Sequence, residues 1–155
     1  MGTNLTEVLD LFMLLQNDYR LLDLYTSSSA SFNTYLEGWL LYAINDFDGV
    51  CTQSLTYTPT SGSTTGYFSE TLTNENKLML SQLTVRYWMA KEVQDVLQMN
   101  LNLEDHDFKH FAESQNLGEK QRMHNFKREE VAQLIVDYGY KHNDWTSWGS
   151  QSFGG

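Results

Sequence analysis

Apolar residues recur every three or four positions along four segments of the chain, the spacing of one face of an α-helix. In the first segment, Asn4 can cap a helix while Glu7 reaches back to it from the third helical position. The apolar positions that follow are Leu5, Val8, Leu9, Phe12 and Leu15. We predict a short amphipathic helix here. Residues 17–25 continue with a weaker pattern, which the serines at 27–29 break.

A second helix is predicted to begin near Ser31 or Asn33 and to end at Gly49, because glycine is common just after the last helical turn. One stripe of this helix is apolar and should face the core. The stripe consists of Leu36, Trp39, Leu40, Ala43 and Phe47. Trp39 is therefore predicted to be a core residue, as is Trp88 in the next helix.

The two remaining helices are the longest. Thr73 is the predicted N-cap of a central helix whose apolar positions are Met79, Leu83, Tyr87, Ala90, Val93 and Leu97. An irregular acidic connection over residues 100–107 leads to a final helix, which we predict from a cap at Ser114 to about Tyr138, with Gly139 as its stop. Its apolar side is predicted to contain Met123, Phe126, Val131, Leu134, Ile135 and Tyr138.

Between the second and central helices, residues 50–72 are dominated by Thr, Ser and Tyr. Thr and Tyr favour extended backbone, whereas proline and glycine mark turns, so this segment is predicted to be a β-hairpin or a long loop. Its glycine-bearing tip is too polar to be buried, and a projection of this kind is typically a contact device. The predicted contact residues are Tyr57, Pro59, Gly62, Gly66 and Tyr67.

The final residues carry large aromatic side chains in a Gly/Ser-rich setting that cannot form a core of its own. Trp145, Trp148 and Phe153 need cover, and Asn143 begins this stretch. Because glycine and serine make the backbone costly to order, we predict an arm over residues 141–155 that orders on a partner chain. The alternative is that the tail folds back over its own domain.

Composition excludes several classes of function. The chain has 155 residues, the size of one domain, and a hydrophobic share of 41% that argues against global disorder. Its net charge of −10 disfavours binding to DNA or to an anionic membrane, because phosphate binding depends on Lys and Arg. The longest apolar stretches are too short to span a membrane, and no secretory signal precedes them. Cys51 is the only cysteine, so no disulfide can form within the chain.

No catalytic motif is visible. His106 and His110 are four residues apart and could share a helical face, but no third metal ligand is indicated. Asp46 and Asp48 lie in a short segment similar to part of a calcium loop, without the later ligands or the closing Glu. We therefore expect no enzyme, no cofactor and no metal site.

Several segments, taken in order, resemble the head-to-tail connector (adaptor or neck) proteins of tailed bacteriophages. The resemblance extends to Tyr140 and rests on pattern and spacing. It is carried by residues 7–12 (EVLDLF), 18–22 (DYRLL), 43–47 (AINDF), 72–76 (LTNEN), 87–89 (YWM), 107–114 (DFKHFAES) and 134–140 (LIVDYGY). The polar hairpin region is longer than in such proteins, and Gly118 interrupts a helix that they usually keep unbroken.

The resemblance implies a small helical bundle that assembles into a ring, usually twelvefold, beneath the portal protein. Such a ring extends the DNA channel, receives a tail-side neck or stopper protein, and has no catalytic activity. The C-terminal arm would contact the portal, and the hairpin region would face neighbours or the next ring. The protein would be made in the bacterial cytoplasm and would reside in the virion neck.

We thus expect a mostly α protein with a helical domain over residues 1–140, a hairpin or long loop at about 50–72, and an aromatic arm over 141–155. The primary hypothesis is a structural virion protein whose ring lets genomic DNA pass without specific binding. The alternative hypothesis is a small acidic protein that mimics DNA and binds a nuclease or repressor. The net charge is compatible with both.

Overall fold

A computed structural model of the protein describes residues 2–102 and 110–143, with side chains for 2–95 and 117–143. Within these ranges the fold is mostly α with one small hairpin, as predicted. The elements are α1 Leu5–Leu15, α2 Tyr19–Ser27, α3 Ser29–Phe47, β1 Tyr57–Thr58, β2 Tyr67–Phe68, α4 Asn74–Asn102 and α5 His110–His142. Helix α4 is central, since it packs against α1, α3 and α5.

Helix α1 begins as its sequence predicts. The Asn4 side chain accepts a hydrogen bond from the backbone N–H of Thr6 at 3.1 Å, and the backbone N–H of Asn4 donates to Glu7 Oε1 at 3.0 Å. These bonds satisfy N–H groups that the first helical turn leaves without partners. Four of the five predicted apolar residues are fully buried, and Leu15 is partly buried.

Helix α2 was not predicted. Asp18 caps it by accepting from the backbone N–H groups of Arg20 and Leu21, at 2.8 and 3.2 Å. Leu21 is its one buried residue, so the apolar periodicity is too weak to reveal the helix. Ser28 has extended backbone and caps α3 through its side chain, so α3 begins at Ser29, earlier than predicted.

The core lies where α1, α3 and the first half of α4 meet. Trp88 is buried as predicted, and its ring meets Phe12 edge-on with centroids 5.9 Å apart. Trp39 is only partly buried at the edge of the core. The largest fully buried side chains are Phe12, Phe32, Phe47, Phe68, Leu5, Leu9, Leu36, Leu40, Leu80 and Leu83.

The bounds of helix α5 differ from the prediction at both ends. It begins at His110, so Ser114 is an internal residue and not the cap, and it continues through Gly139 to His142. The last turn is held from outside the helix, because Lys141 Nζ and His142 Nε2 contact the carboxylate of Glu75 at 2.7 and 3.1 Å. The first two residues of the predicted arm therefore belong to α5.

The predicted apolar side of α5 is only partly right. Val131 and Tyr138 are buried, and the Tyr138 ring meets Phe47 edge-on at 5.0 Å. Met123 and Phe126 are exposed at 61% and 70%, so the prediction that they face the core is wrong. The predicted irregular connection over residues 100–107 is also partly wrong, because residues 100–102 are helical and belong to α4. Residues 103–107 lie outside the described part.

The predicted hairpin exists, with β1 and β2 antiparallel and Tyr57 opposite Phe68. Gly62 occupies the tip with a φ of +58°, a conformation that glycine adopts without strain. The N-terminal segment runs beside β2. The Thr3 N–H donates to the Glu70 carbonyl at 2.9 Å, and the Phe68 N–H donates to the Thr3 carbonyl at 2.8 Å. The base of the hairpin is thus tied to the domain.

Candidate interaction surfaces

A buried carboxylate attaches the hairpin to α3. Glu37 is only 7% exposed, and its Oε1 accepts hydrogen bonds from the Tyr57 hydroxyl and the Thr60 backbone N–H, each at 2.7 Å. The Tyr57 ring packs against Phe68 with centroids 4.9 Å apart. Burial raises the pKa of Tyr57, and the Glu37 carboxylate raises it further, so the hydroxyl remains a neutral donor.

This attachment divides the predicted hairpin contact residues into two groups. Tyr57 is half-buried and Gly66 is buried, both directed toward Glu37. Pro59 and Gly62 are exposed, and Tyr67 is 41% exposed. Of the five predicted contact residues, Pro59, Gly62 and Tyr67 are thus accessible to a partner, and their contact role stays a prediction.

A row of aromatic rings follows the line where α3 meets α4. It contains Tyr35, Trp39 and Tyr42 from α3 and Tyr87 from α4, and we call it the aromatic row. Successive ring centroids are 6.5, 6.2 and 5.5 Å apart, within the range of favourable aromatic contacts. Tyr35 is 39% exposed and Tyr42 is 58% exposed. The row thus presents aromatic surface to solvent on a formed domain.

The row ends at a polar cluster. Asp46 accepts a hydrogen bond from Arg86 Nη1 at 3.0 Å and another from the Tyr87 hydroxyl. The Arg86 guanidinium carbon lies 4.9 Å from the centroid of the Tyr87 ring. Burial raises the pKa of Tyr87, as does the Asp46 carboxylate. These contacts fix the orientation of the Tyr87 ring, which supports the exposed ring of Tyr42.

A second exposed surface lies on α5. Its residues step by four and three along the helix and so share one face, which we call the α5 outer stripe. The stripe consists of Arg122, Phe126, Glu129, Gln133, Val136 and Tyr140. Phe126 is 70%, Val136 48% and Tyr140 60% exposed. Polar residues separate these apolar side chains, so the stripe mixes polar and apolar groups along its length.

An open groove of about 260 Å³ lies between the α1–α2 connection, α4 and α5. Trp88, Met89, Val93 and Met123 supply its apolar walls. The Arg20 guanidinium, bound to Glu92, lies nearby. The polar lining includes Asp18, which caps α2, and Glu92, which binds Arg20, so both carboxylates have structural partners.

Most basic side chains are already paired. Among the described residues, ion pairs join Arg20 to Glu92, Lys77 to Glu7, Arg86 to Asp46, Lys91 to Asp95, Arg122 to Glu119, Lys127 to Glu130, and Lys141 to Glu75. In the same ranges Lys120 and Arg128 have no ion pair. Asp10, Asp23, Asp48 and Glu70 have none either. The surface charge is therefore carried mainly by carboxylates.

The remaining predicted residues fall at or beyond the described ranges. Asn143 is exposed just after α5, whereas Trp145, Trp148 and Phe153 lie outside the described residues, as does His106. In the part of the chain that the structure covers, no three His, Cys, Asp or Glu side chains are grouped to hold a metal ion. Over that same part, no helix is long and apolar enough to cross a membrane.

Cys51 is half-buried beside Tyr138, with its Sγ 4.0 Å from the tyrosine hydroxyl. Burial raises the pKa of the thiol, which lowers the fraction of reactive thiolate. Cys51 therefore has the character of a packing residue.

A scan against protein-family models found no match to this chain, and searches of curated proteins and of solved structures found no match either.

Proposed function

We propose that this protein is a structural subunit of a virus particle, a head-to-tail connector of a tailed bacteriophage that forms a ring beneath the portal. The observation that carries the proposal is the exposed aromatic surface on a domain whose described residues already bury a hydrophobic core. Tyr42 and Phe126 lie on two separate surfaces and each exposes more than half of its area. Contiguous aromatic surface, such as Tyr35, Trp39 and Tyr42 form, marks sites of contact with other chains.

The class of assembly comes from the resemblance of the sequence to connector proteins. A mostly helical domain with two long helices and a small hairpin is compatible with that class. Connectors of this class have no catalytic activity and are usually twelvefold. In this proposal the subunit joins capsid to tail and works without a cofactor. It is made in the cytoplasm of the host bacterium and resides in the virion neck.

The charge distribution supports a passive DNA conduit. Most described Lys and Arg side chains are held by carboxylates, so few remain to bind phosphate. A ring lined by surplus carboxylates repels the DNA backbone and lets the genome slide through. DNA would therefore pass the subunit without specific contacts.

Two segments are assigned to contacts with other chains. The arm with Trp145, Trp148 and Phe153 docks on the portal, where tryptophan is well suited to be a binding hot spot. The exposed hairpin residues Pro59, Gly62 and Tyr67 face a neighbouring subunit or the tail-side neck or stopper protein.

Native mass spectrometry of the full chain, alone at rising concentration and with the portal ring of the same phage, tests this proposal. We expect a closed ring of identical subunits, formed alone or on the portal. A chain that stays monomeric under both conditions contradicts the proposal.

Deletion of residues 144–155 tests the arm separately. The cut spares Lys141 and His142, which hold the end of α5 to Glu75. We expect the thermal unfolding transition to remain cooperative at an unchanged midpoint while portal binding is lost. A shortened chain without a cooperative transition shows instead that the arm covers its own domain.

A specific observation also favours the DNA-mimic alternative. Asp10, Asp23, Asp48 and Glu70 have no ion pair among the described residues, and a surface rich in free carboxylates suits a basic groove. The two functions separate in one experiment, because a DNA mimic binds a DNA-binding enzyme or repressor as a monomer and dissociates from it in high salt. A connector forms rings instead.

A further inference from the structure

We propose that the groove between the α1–α2 connection, α4 and α5 of one subunit receives the C-terminal arm of a second copy of this chain. We call this groove the Trp88 groove, after the tryptophan in its wall. The segment that enters it contains Trp145 and Trp148. This inference rests on the proposed function, in which copies of the chain lie side by side, and it names one contact between them.

The Trp88 groove has the size and the lining of a site for an aromatic ring. Its volume is about 260 Å³, and an apolar cavity of about 150 Å³ is enough to bind benzene, so the groove has room for an indole. Met89 and Met123 line it, and methionine sulfur makes favourable contacts with aromatic rings. Met123 is 61% exposed, so an aromatic ring seated in the groove would cover an apolar side chain that now faces solvent.

The charges at the groove also suit the arm. Lys120 lines the groove and has no ion pair among the described residues. Asp144, directly before Trp145, carries the only charged side chain in residues 143–155. A tryptophan of the arm in the groove would bring the Asp144 carboxylate close to the Lys120 ammonium group. Opposite charges placed in this way across an interface favour the matching partner over others.

The arm of the same subunit cannot supply these tryptophans. It starts after Asn143, where Lys141 and its neighbour His142 hold the end of α5 to Glu75. Helix α5 is continuous from His110 to His142, so Met123 lies about 30 Å from Asn143 at 1.5 Å per residue. Trp148 is five residues beyond Asn143 and reaches at most about 18 Å from it when fully extended. The tryptophans therefore reach only the groove of another copy.

An arm that enters a neighbour's groove makes a heterologous contact, because the two surfaces differ. Each subunit has one arm and one groove, so the contact propagates from copy to copy and closes into a ring when the rotation between subunits divides a full turn. The contact also refines the assignment to the portal. The arm meets the portal while its tryptophans are seated on the neighbouring subunit, with Phe153 beyond them.

A pair of cysteines tests this contact in the full chain. In a Cys51→Ser background, Asn17→Cys places a thiol on the rim of the groove, and Ser147→Cys places one between the two tryptophans. A disulfide requires Cα atoms within about 7 Å of each other. An equimolar mixture of the two single variants, oxidised alone and on the portal ring, should give a linked dimer of twice the 18.0 kDa chain mass. Peptide mass spectrometry should assign the link to residues 17 and 147.

The matched control moves the first thiol out of the groove. Glu129→Cys is exposed on the α5 outer stripe, and its mixture with Ser147→Cys should give no linked dimer. Each variant is first checked for cooperative thermal unfolding, so that loss of the link is not loss of the fold.

Removal of the tryptophans tests what holds the arm in place. Trp145→Ala and Trp148→Ala together, in the Ser147→Cys chain, should lower the yield of linked dimer about tenfold or more, since a buried tryptophan is a typical hot spot. A yield that does not change shows that the tryptophans do not hold the arm and overturns the inference.

The remaining outcomes distinguish this inference from the proposed function. Rings of the wild-type chain without a link between residues 17 and 147 overturn the arm contact, and the connector function stands. A chain with both cysteines that forms the link within one monomer also overturns the contact. A wild-type chain that stays monomeric, alone and on the portal, removes the function and the contact together.

Discussion

Removal of the buried Glu37 carboxylate should detach the hairpin from α3 and destabilise the whole domain. Glu37 is the shared acceptor for the Tyr57 hydroxyl and the Thr60 backbone N–H, both at 2.7 Å. In Glu37→Ala both donors lose their acceptor in a site that water reaches poorly. The half-buried ring of Tyr57 keeps its hydroxyl directed into the space that the carboxylate leaves.

The expected loss follows from these two bonds. A buried donor left without a partner costs about 1–3 kcal/mol, and Thr60 lies nearer to solvent and can recover part of its share. Removing a buried carboxylate also relieves some desolvation, so we expect a net loss of about 2–4 kcal/mol. Against a total stability of about 5–15 kcal/mol for a domain, this is a large fraction. Glu37→Gln keeps an acceptor oxygen and should lose about half as much.

Urea unfolding at pH 7, followed by far-ultraviolet circular dichroism, measures this loss. Glu70→Ala is the matched control, because Glu70 is exposed in the same region and should change stability by no more than about 0.5 kcal/mol. The midpoint of Glu37→Ala should fall while the slope with urea stays the same. A Glu37→Ala midpoint that moves no further than that of the control contradicts this role of Glu37.

Three further predictions concern the same contacts and the end of α5. Because burial and Glu37 raise the pKa of Tyr57, the neutral hydroxyl stabilises the fold below the ordinary tyrosine pKa of about 10 and this contribution is lost as the pH rises above it. Urea titrations at a series of alkaline pH values give the free energy of unfolding as a function of pH. This free energy should fall less steeply with pH in Tyr57→Phe than in the wild type, and equal slopes refute the prediction. Gly66→Ala should cost about 1–3 kcal/mol in the urea assay, because the added Cβ would lie 2.1 Å from the Tyr57 hydroxyl. Gly38→Ala is the control on the exposed side of α3. Its added Cβ meets no atom within 4 Å, so this substitution should stabilise the fold by up to about 1 kcal/mol. The hydrogen bond from Lys141 lowers the pKa of Glu75, so the carboxylate holds the last turn of α5 at neutral pH and releases it as the pH falls through that lowered pKa. Hydrogen exchange at residues 140–142 should be faster in Glu75→Gln than in the wild type at pH 7, and this difference should shrink as the pH is lowered and Glu75 becomes protonated. A difference that is the same at every acidic pH contradicts the assignment.

The helices that the sequence predicted well are those whose buried side is continuous. The stripe from Leu5 to Phe12 and the Asn4 cap are local features, and they locate α1 closely. Helix α2 was missed because Leu21 alone is buried there, although Asp18 is a recognisable cap. Gly139 is a reasonable local stop, yet Glu75, far away in sequence, pairs with the residues beyond it and extends the helix. Tertiary contacts outweighed the local preference.

The interaction surfaces were harder to predict for a related reason. The aromatic row lies one residue out of phase with the core stripe of α3, so Trp39 was assigned to the core although it belongs with Tyr35 and Tyr42. The local signal for the row is the helical spacing of Tyr35, Trp39 and Tyr42 in that second phase. Nothing local indicates that Tyr57 turns inward, because its acceptor Glu37 is twenty positions earlier in the chain. The inward side of the hairpin therefore required the tertiary structure.

The most direct test of the account is electron cryomicroscopy of the assembled full-length protein, with class averages viewed along the assembly axis. We expect closed rings with rotational symmetry, in which every subunit contacts its neighbours through the same two different surfaces. Particles limited to monomers, or to dimers with a twofold axis, would contradict it.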